Sequence, residues 1–290
     1  MVGPLAGCAP AVLILLATGL AAAPVPGKSE RWRVTVALRI SAENGTPVAV
    51  DLALPPDGPA QRLGPVEVTG RGLTSEVVTS GTEPHVHLAG KFKGARRVAV
   101  QYVVERDRDS TTLPQIAVAD APGPELLPFL SPSPLFQTRS LLVRDFMESY
   151  VAPMLDTPGA DLVRTIMRAT REHLPADPAG KTLTLDVIRA GGGRRIGVER
   201  AFTTFVRAAG VPARFVEGVK LGSGTHRKRV FWTEVWDGNR WWAASASGNW
   251  FGSPPAGYIA LTRDGRRVLT KEGKGKVSYT VNAVRVEDPT

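Results

Sequence analysis

The sequence predicts an α+β protein in which an N-terminal antiparallel β-sandwich precedes a mixed helical and β domain. Three observations carry this. Residues 31–40 alternate strictly between apolar and polar, the period of a half-buried strand. Helical apolar spacing begins only at residue 141. Strand patterns then return after residue 213, rich in tryptophan. The 290 residues suit one large or two small domains, and a hydrophobic content of 43% is ample for a core.

The first element is an apolar run over 11–23. Ala21 and Ala23 are spaced as an A-x-A cleavage site, so residues 1–23 read as a signal peptide. No charged side chain occurs from Met1 to Gly27. The missing basic n-region leaves an uncleaved N-terminal anchor as the alternative. The chain is expected to be exported, periplasmic or held at the cell envelope. Its single cysteine, Cys8, lies in this segment, so disulfides and thiol–metal sites are not expected in the body of the protein.

Residues 30–106 form the predicted β-sandwich. Trp32, Val34, Val36, Leu38 and Ile40 share one face. Asn44 and Gly45 predict a hairpin turn, with Val48, Val50, Leu52 and Leu54 on the returning strand. Further strands are expected near 64–70, 75–80, 84–90 and 96–105. Residues 107–140, rich in Asp, Pro and Ser at their start, predict a linker over the surface. Residues 141–290 form the second domain. Helices are expected over 141–151, 161–173 with Asp161 as cap, 183–189 and 199–209. In the last, Phe202, Phe205, Val206 and Ala209 make one buried stripe, and Gly210, Val211 and Pro212 end it. Strands follow over 214–221, 231–236, 240–244, 266–270 and 276–287.

Two stretches of the second domain carry a resemblance. One runs from Gly193 through Arg194, Arg195 and the helix to Ala208, Ala209, Gly210, Val211, Pro212, Ala213 and Arg214. The other holds Val230, Trp232, Thr233, Glu234 and Val235, then Arg240 and Trp241. Together they resemble the transglutaminase-like (papain-type) core, whose pattern is G-x-C, a helix ending R-A-x-G-I-P-A-R, then H-A-W-x-E-V and R-W-x-x-x-D. The resemblance implies a transglutaminase-like α+β domain with a Cys/His/Asp triad. Counted along the pattern, the nucleophile position is Arg195, the base position Val230 and the orienting acid position Ser245. A guanidinium does not deprotonate in proteins and a valine moves no proton. No catalytic residue is therefore expected; the alternative is a hydrolase or acyltransferase with rebuilt chemistry, with a nucleophile such as Ser245 beside a base. The wider stretch 30–285 resembles bacterial proteins whose inactive transglutaminase domain lies outside the membrane, usually fused to seven transmembrane helices. No segment after residue 30 is long and apolar enough to be such a helix.

The resemblance and the residues together point to binding. Arg194 and Arg195 follow a glycine loop and precede a helix, an arrangement that can hold a carboxylate or phosphate; the alternative is a solvated loop. Trp232 and Trp241 belong to a tryptophan group that could line a peptide cleft or belong to the core. Glu234 is expected in an ion pair with Arg214. His85 and His87 share a strand face, but two ligands without a third predict no metal site, and no cofactor is expected. The net charge of +9 fits an anionic envelope surface or an acidic partner; nucleic acid is not expected, since no recognition motif occurs. The expected partners are an envelope membrane protein or a small acidic or peptide ligand.

Overall fold

A computed structural model of the chain describes residues 29–58, 60–79, 84–106, 116, 122–155, 161–222, 224–226 and 228–286. The predicted signal segment and much of the predicted linker lie outside the described residues.

Strands β1 (Glu30–Ala53), β2 (Gln61–Gly70), β3 (Thr74–Val78) and β4 (His85–Arg106) open the chain. A short 3-10 helix at Pro124–Phe129 follows. Helices α1 (Leu141–Phe146) and α2 (Ala152–Leu155) are joined by a π-type turn at Met147–Val151. Then come α3 (Leu162–His173), β5 (Ala176–Lys181), α4 (Thr184–Ala190) and α5 (Arg195–Ala208). Strands β6 (Ala213–Lys220), β7 (Gly224–His226), β8 (Arg229–Trp236), β9 (Trp241–Ser245), β10 (Trp250–Gly252), β11 (Tyr258–Arg263), β12 (Leu269–Gly273) and β13 (Lys276–Val286) complete it. Among the described residues no helix is long and apolar enough to cross a membrane.

Apart from β5, the strands form two antiparallel sheets. In the first, the order is β2-β4-β1-β13-β7, with β12 also on β1 and β3 also on β4. Asn44 and Gly45 do not make the predicted hairpin. They sit in a bulge of the single long strand β1, which pairs with β4 on both sides of it, with the register shifting between Ala42 and Thr46. Gly45 has a φ of +69°, so the residue that suits a tight turn serves here to bend a continuous ladder. Past the bulge, β1 takes β12 as its second neighbour; before it, β13. Inward residues of both halves, such as Leu38, Ile40, Val50 and Leu88, meet in one apolar cluster.

The chain's last strands return to this first sheet. β13 pairs with β1 from Arg31↔Val286 to Ser41↔Lys276, so residues 276–286 belong structurally with the N-terminal strands. In the described part of segment 107–140 a few side chains anchor inward: Ile116 is buried in the helical core, and Phe136 is buried against Phe215 and Arg207, while others such as Leu127 are exposed.

The second sheet has the order β10-β9-β8-β6-β11. One face carries the helical layer. The stripe predicted in α5 is present: Phe202, Phe205 and Val206 are buried with Ala213, Val235, Trp242 and Ala244. Phe205 stacks on Phe146 at 4.2 Å between ring centroids. Asp161 caps α3 by accepting from the Arg164 backbone N–H at 2.8 Å. The other face holds Val216, Val230, Trp232, Ala243 and Ala260. It is covered by the chain after β1, where Gln61 donates to the Ala260 carbonyl and accepts from the Ala260 N–H.

Candidate functional site

Helix α5 starts one turn earlier than its apolar pattern suggests, at Arg195, with Arg194 at the cap position and no side-chain cap. Gly197 permits this. Its first turn lies so close to β5 that a Cβ there would stand 2.6 Å from the Lys181 carbonyl oxygen. The backbone N–H of Arg194 donates to that same carbonyl at 2.8 Å. The side chains of Arg194 and Arg195 are exposed at this helix end, where unpaired N–H groups and the macrodipole favour an anion.

The other two positions that the sequence pattern assigns to the triad differ from them in character. Val230 is buried among Trp232, Val216, Ala243 and Ala260. Ser245 is 2% exposed and points to Glu199. Its hydroxyl donates to Glu199 Oε1 at 2.6 Å and accepts from the Gly248 N–H at 2.9 Å. Ser247 donates to the same carboxylate oxygen twice, from its N–H at 2.8 Å and its hydroxyl at 2.6 Å. Glu199 Oε2 is buried without a hydrogen-bond partner among the described residues. Burial pushes the Glu199 carboxyl up to about 7, against the four hydrogen bonds from Ser245, Ser247 and Ala246 that favour its charge. A protonated carboxyl at this helix turn costs far less than a buried anion.

Glu199 lies four residues after Arg195, on the same helix face. It is not among the functional residues expected from the sequence. The available signal was an acidic residue three positions before Phe202, on the stripe that faces the sheet.

A second charged group lies on the far face of the sheet. The Arg214 Nε donates to Glu234 Oε2 at 2.5 Å, and the Arg263 Nε donates to the same oxygen at 3.2 Å. Burial alone would raise the Glu234 carboxyl, but Arg214 and Arg263 together hold it below the ordinary carboxylate range. The expected pairing of Glu234 with Arg214 is thus present, with a third member that motif spacing does not show. Arg207 makes a parallel bridge. It donates from Nε to the Ala213 carbonyl and from a terminal nitrogen to Asp264 Oδ1, at 2.7 and 2.8 Å. The two arginines of the helix-ending motif therefore each hold a carboxylate, Arg214 the buried Glu234 and Arg207 the half-buried Asp264.

The tryptophans divide. Trp232 is 1% exposed, so its ring is a core element and offers no open face. Trp241 is half-buried, edge-on to Phe129 at 5.0 Å and under the Arg214 guanidinium at 4.1 Å. His87 contacts the Asp51 carboxylate at 2.6 Å.

Residues 148–246 match the family model of the Transglutaminase-like superfamily. No curated protein matches the chain in sequence. Among solved structures, the chain is similar to a Cytophaga hutchinsonii protein provisionally named a cysteine protease, with a TM-score of 0.66, 13% identity, and coverage of 92% of this chain and 94% of that one. The periplasmic domain of TgpA from Pseudomonas aeruginosa is matched at a TM-score of 0.34 and 15% identity, over 72% of each chain. At such identities the first likeness speaks for the fold alone. Residues 148–246 are thus similar to the Transglutaminase-like superfamily, within an α+β fold like that of the Cytophaga hutchinsonii protein.

Proposed function

We propose that this domain is a non-catalytic, exported transglutaminase-like module of the cell envelope that binds an acidic or peptide ligand or an envelope partner. The observation that carries the reading is the chemistry at the start of α5. A catalytic domain of this type needs a thiolate there, a base to take its proton and an acid to orient the base. Here the helix start presents the exposed Arg194 and Arg195, and the sole cysteine of the sequence is Cys8. Val230 is an apolar core residue. A helix end with two guanidinium groups suits an anion rather than a nucleophile. Residues 1–23, read as a signal peptide or anchor, support export.

One contact favours the alternative of rebuilt hydrolytic chemistry: Ser245 is hydrogen-bonded to a carboxyl, Glu199. Against it, both groups are buried, and the serine oxygen already accepts from Gly248. The pair ties the turn after β9 to α5. A fluorophosphonate probe separates the two readings. No labelling is expected; stoichiometric labelling of Ser245 would establish a nucleophile. The binding reading is tested by titrating the protein with a short oligoglutamate peptide. Arg194→Ala/Arg195→Ala is expected to weaken binding at least tenfold, and an unchanged affinity would remove the α5 end as the site.

A further inference from the structure

The first sheet bends at the bulge of β1, and three basic stretches of sequence meet there. Residues 91–97 of β4 carry four lysines and arginines and no acid. Residues 271–276, which lead from β12 into β13, carry three lysines and Glu272. Arg39 of β1 stands between them, opposite Arg97 on one side and Ser278 on the other. Glu43 is the acid of the bulge itself. All of these charged side chains are exposed.

Three observations bear on what covers this end of the sheet. The first is facing. Leu38, Ile40 and Val98 are buried in the core, so the alternation of a strand turns Arg39 and Arg97 to the outer face. Lys276 joins them there, since it pairs with Ser41, two residues on from Arg39. The second is repulsion. Arg39 and Arg97 are directly opposite across the ladder of β1 and β4, and like charges so placed destabilise a sheet. Among the described residues, Arg39, Arg97 and Lys276 make no ion pair. At the other end of the same face, by contrast, Arg31 is paired with Glu105 at 2.9 Å. The third is the floor. Ala37, Ala99, Ser278 and Thr280 share the outer face with the arginines. An open groove of about 580 Å³ follows the bulge, with Gly94 and Ala95 in one wall and Lys274 and Lys276 in the other.

We propose that this end of the first sheet docks on the surface of a bilayer rich in anionic phospholipid. Lipid phosphates supply the counter-charge that Arg39 and Arg97 lack and relieve the repulsion between them. A basic surface gains with each lysine or arginine brought close to such a membrane. Long basic side chains over a floor of small residues follow headgroups that move laterally. Lys274 and Lys276 place two ammonium groups beside a groove that admits a headgroup. An acidic protein partner would need the packed aromatic or apolar anchors that dominate such interfaces, and this floor offers none among its described residues. The docking surface lies on the other sheet from the one that carries α5. It requires neither a ligand at that helix end nor the absence of catalysis.

The test is partition of the full chain onto vesicles of equimolar phosphatidylglycerol and phosphatidylcholine, read as a ratio to its partition onto pure phosphatidylcholine. The apolar run 11–23 carries no charged side chain, so any binding of its own enters both terms of the ratio. At about 0.1 M salt a ratio of at least about tenfold is expected. It should fall toward one at about 1 M, where the screening length shrinks from about 10 to about 3 Å. Arg39→Gln/Arg97→Gln/Lys276→Gln is expected to lower the ratio at least fivefold, while the melting temperature holds or rises because the repelling pair is gone. Arg39→Lys/Arg97→Lys keeps the charge and is expected to keep the ratio within twofold. Arg194→Ala/Arg195→Ala should also keep it within twofold, which separates this surface from the α5 end. A ratio near one for the wild-type protein, or an unchanged ratio in the triple glutamine variant, would overturn the proposal. So would displacement of the Arg194→Ala/Arg195→Ala protein from anionic vesicles by oligoglutamate at equal charge, which would make the occupant an acidic chain.

Discussion

Glu199 sits where burial and hydrogen bonding pull a carboxyl in opposite directions. Three of its hydrogen bonds reach one oxygen from Ser245 and Ser247, while the other oxygen is buried without a hydrogen-bond partner among the described residues. Protonation resolves the conflict, and burial prevails, with a pKa pushed up to about 7. The folded state therefore holds a proton that the unfolded chain releases at ordinary glutamate pH. Stability from this group is full below the unfolded pKa and falls as pH rises to about 7, by up to about 3 kcal/mol for a shift of this size. Glu199→Gln supplies a neutral amide of the same shape and removes that slope. Thermal melts of both proteins from pH 5 to pH 8 are expected to diverge, the wild type losing ground to the variant as pH rises. Parallel curves would mean that Glu199 titrates alike in both states. The same residue accounts for the burial of Ser245 at the end of β9: its hydroxyl is one of the donors that make a buried carboxyl tolerable.

At the level of elements, α5 is positioned by close approach more than by propensity. A glycine inside a helix costs about 1 kcal/mol relative to alanine, yet Gly197 lies in the first turns of the helix that ends at Ala208. An added Cβ would stand 2.6 Å from the Lys181 carbonyl oxygen and 2.7 Å from a Val187 methyl. Backbone must move to admit it, and overpacking of this kind costs about 1–3 kcal/mol. Gly197→Ala is expected to lower the melting temperature although it improves local helix propensity, as differential scanning calorimetry would show; a stabilised variant would mean that β5 yields freely. Much of this layer was legible in the sequence. The stripe of Phe202, Phe205 and Val206 has the helical period, and Arg214 and Glu234 lie in motifs whose strands pair directly, at Arg214↔Glu234. What was not legible depends on contacts between distant segments. Glu199 meets Ser245 across 46 positions. Arg263 reaches Glu234 from a strand outside the motif. Asn44 and Gly45 suit a tight hairpin and a bulge equally well, and the long pairing of β1 with β4 selects the bulge.

Over the whole molecule, the two sheets share their apolar interior. The cluster inside the first sheet includes Val219 and Leu221 at the end of β6 and Ile259 of β11, all from the second sheet's part of the chain. The connection runs both ways: Gln61 bonds the Ala260 backbone, the Arg106 guanidinium donates to the Pro254 and Pro255 carbonyls, and Gly257 donates to Glu30. The chain also closes on itself, since β13 enters the first sheet beside β1 and contributes Val281 and Ala283 to its core. A division into independent halves at the predicted linker would cut through this shared interior and strand the buried Arg106 without its carbonyls, leaving a buried cation short of partners. Cooperative unfolding is therefore expected for the whole chain. Urea denaturation followed by far-UV dichroism, which weighs both sheets, and by tryptophan fluorescence, which weighs the second sheet because five of the six tryptophans lie there, should give coincident transitions. A chain truncated before Lys276 should lose the first sheet and expose the faces of Val219, Leu221 and Ile259, with a cooperative transition no longer seen. Two separated transitions in the intact protein would show instead that the sheets fold as independent units, and that their contacts are surface docking rather than a common core.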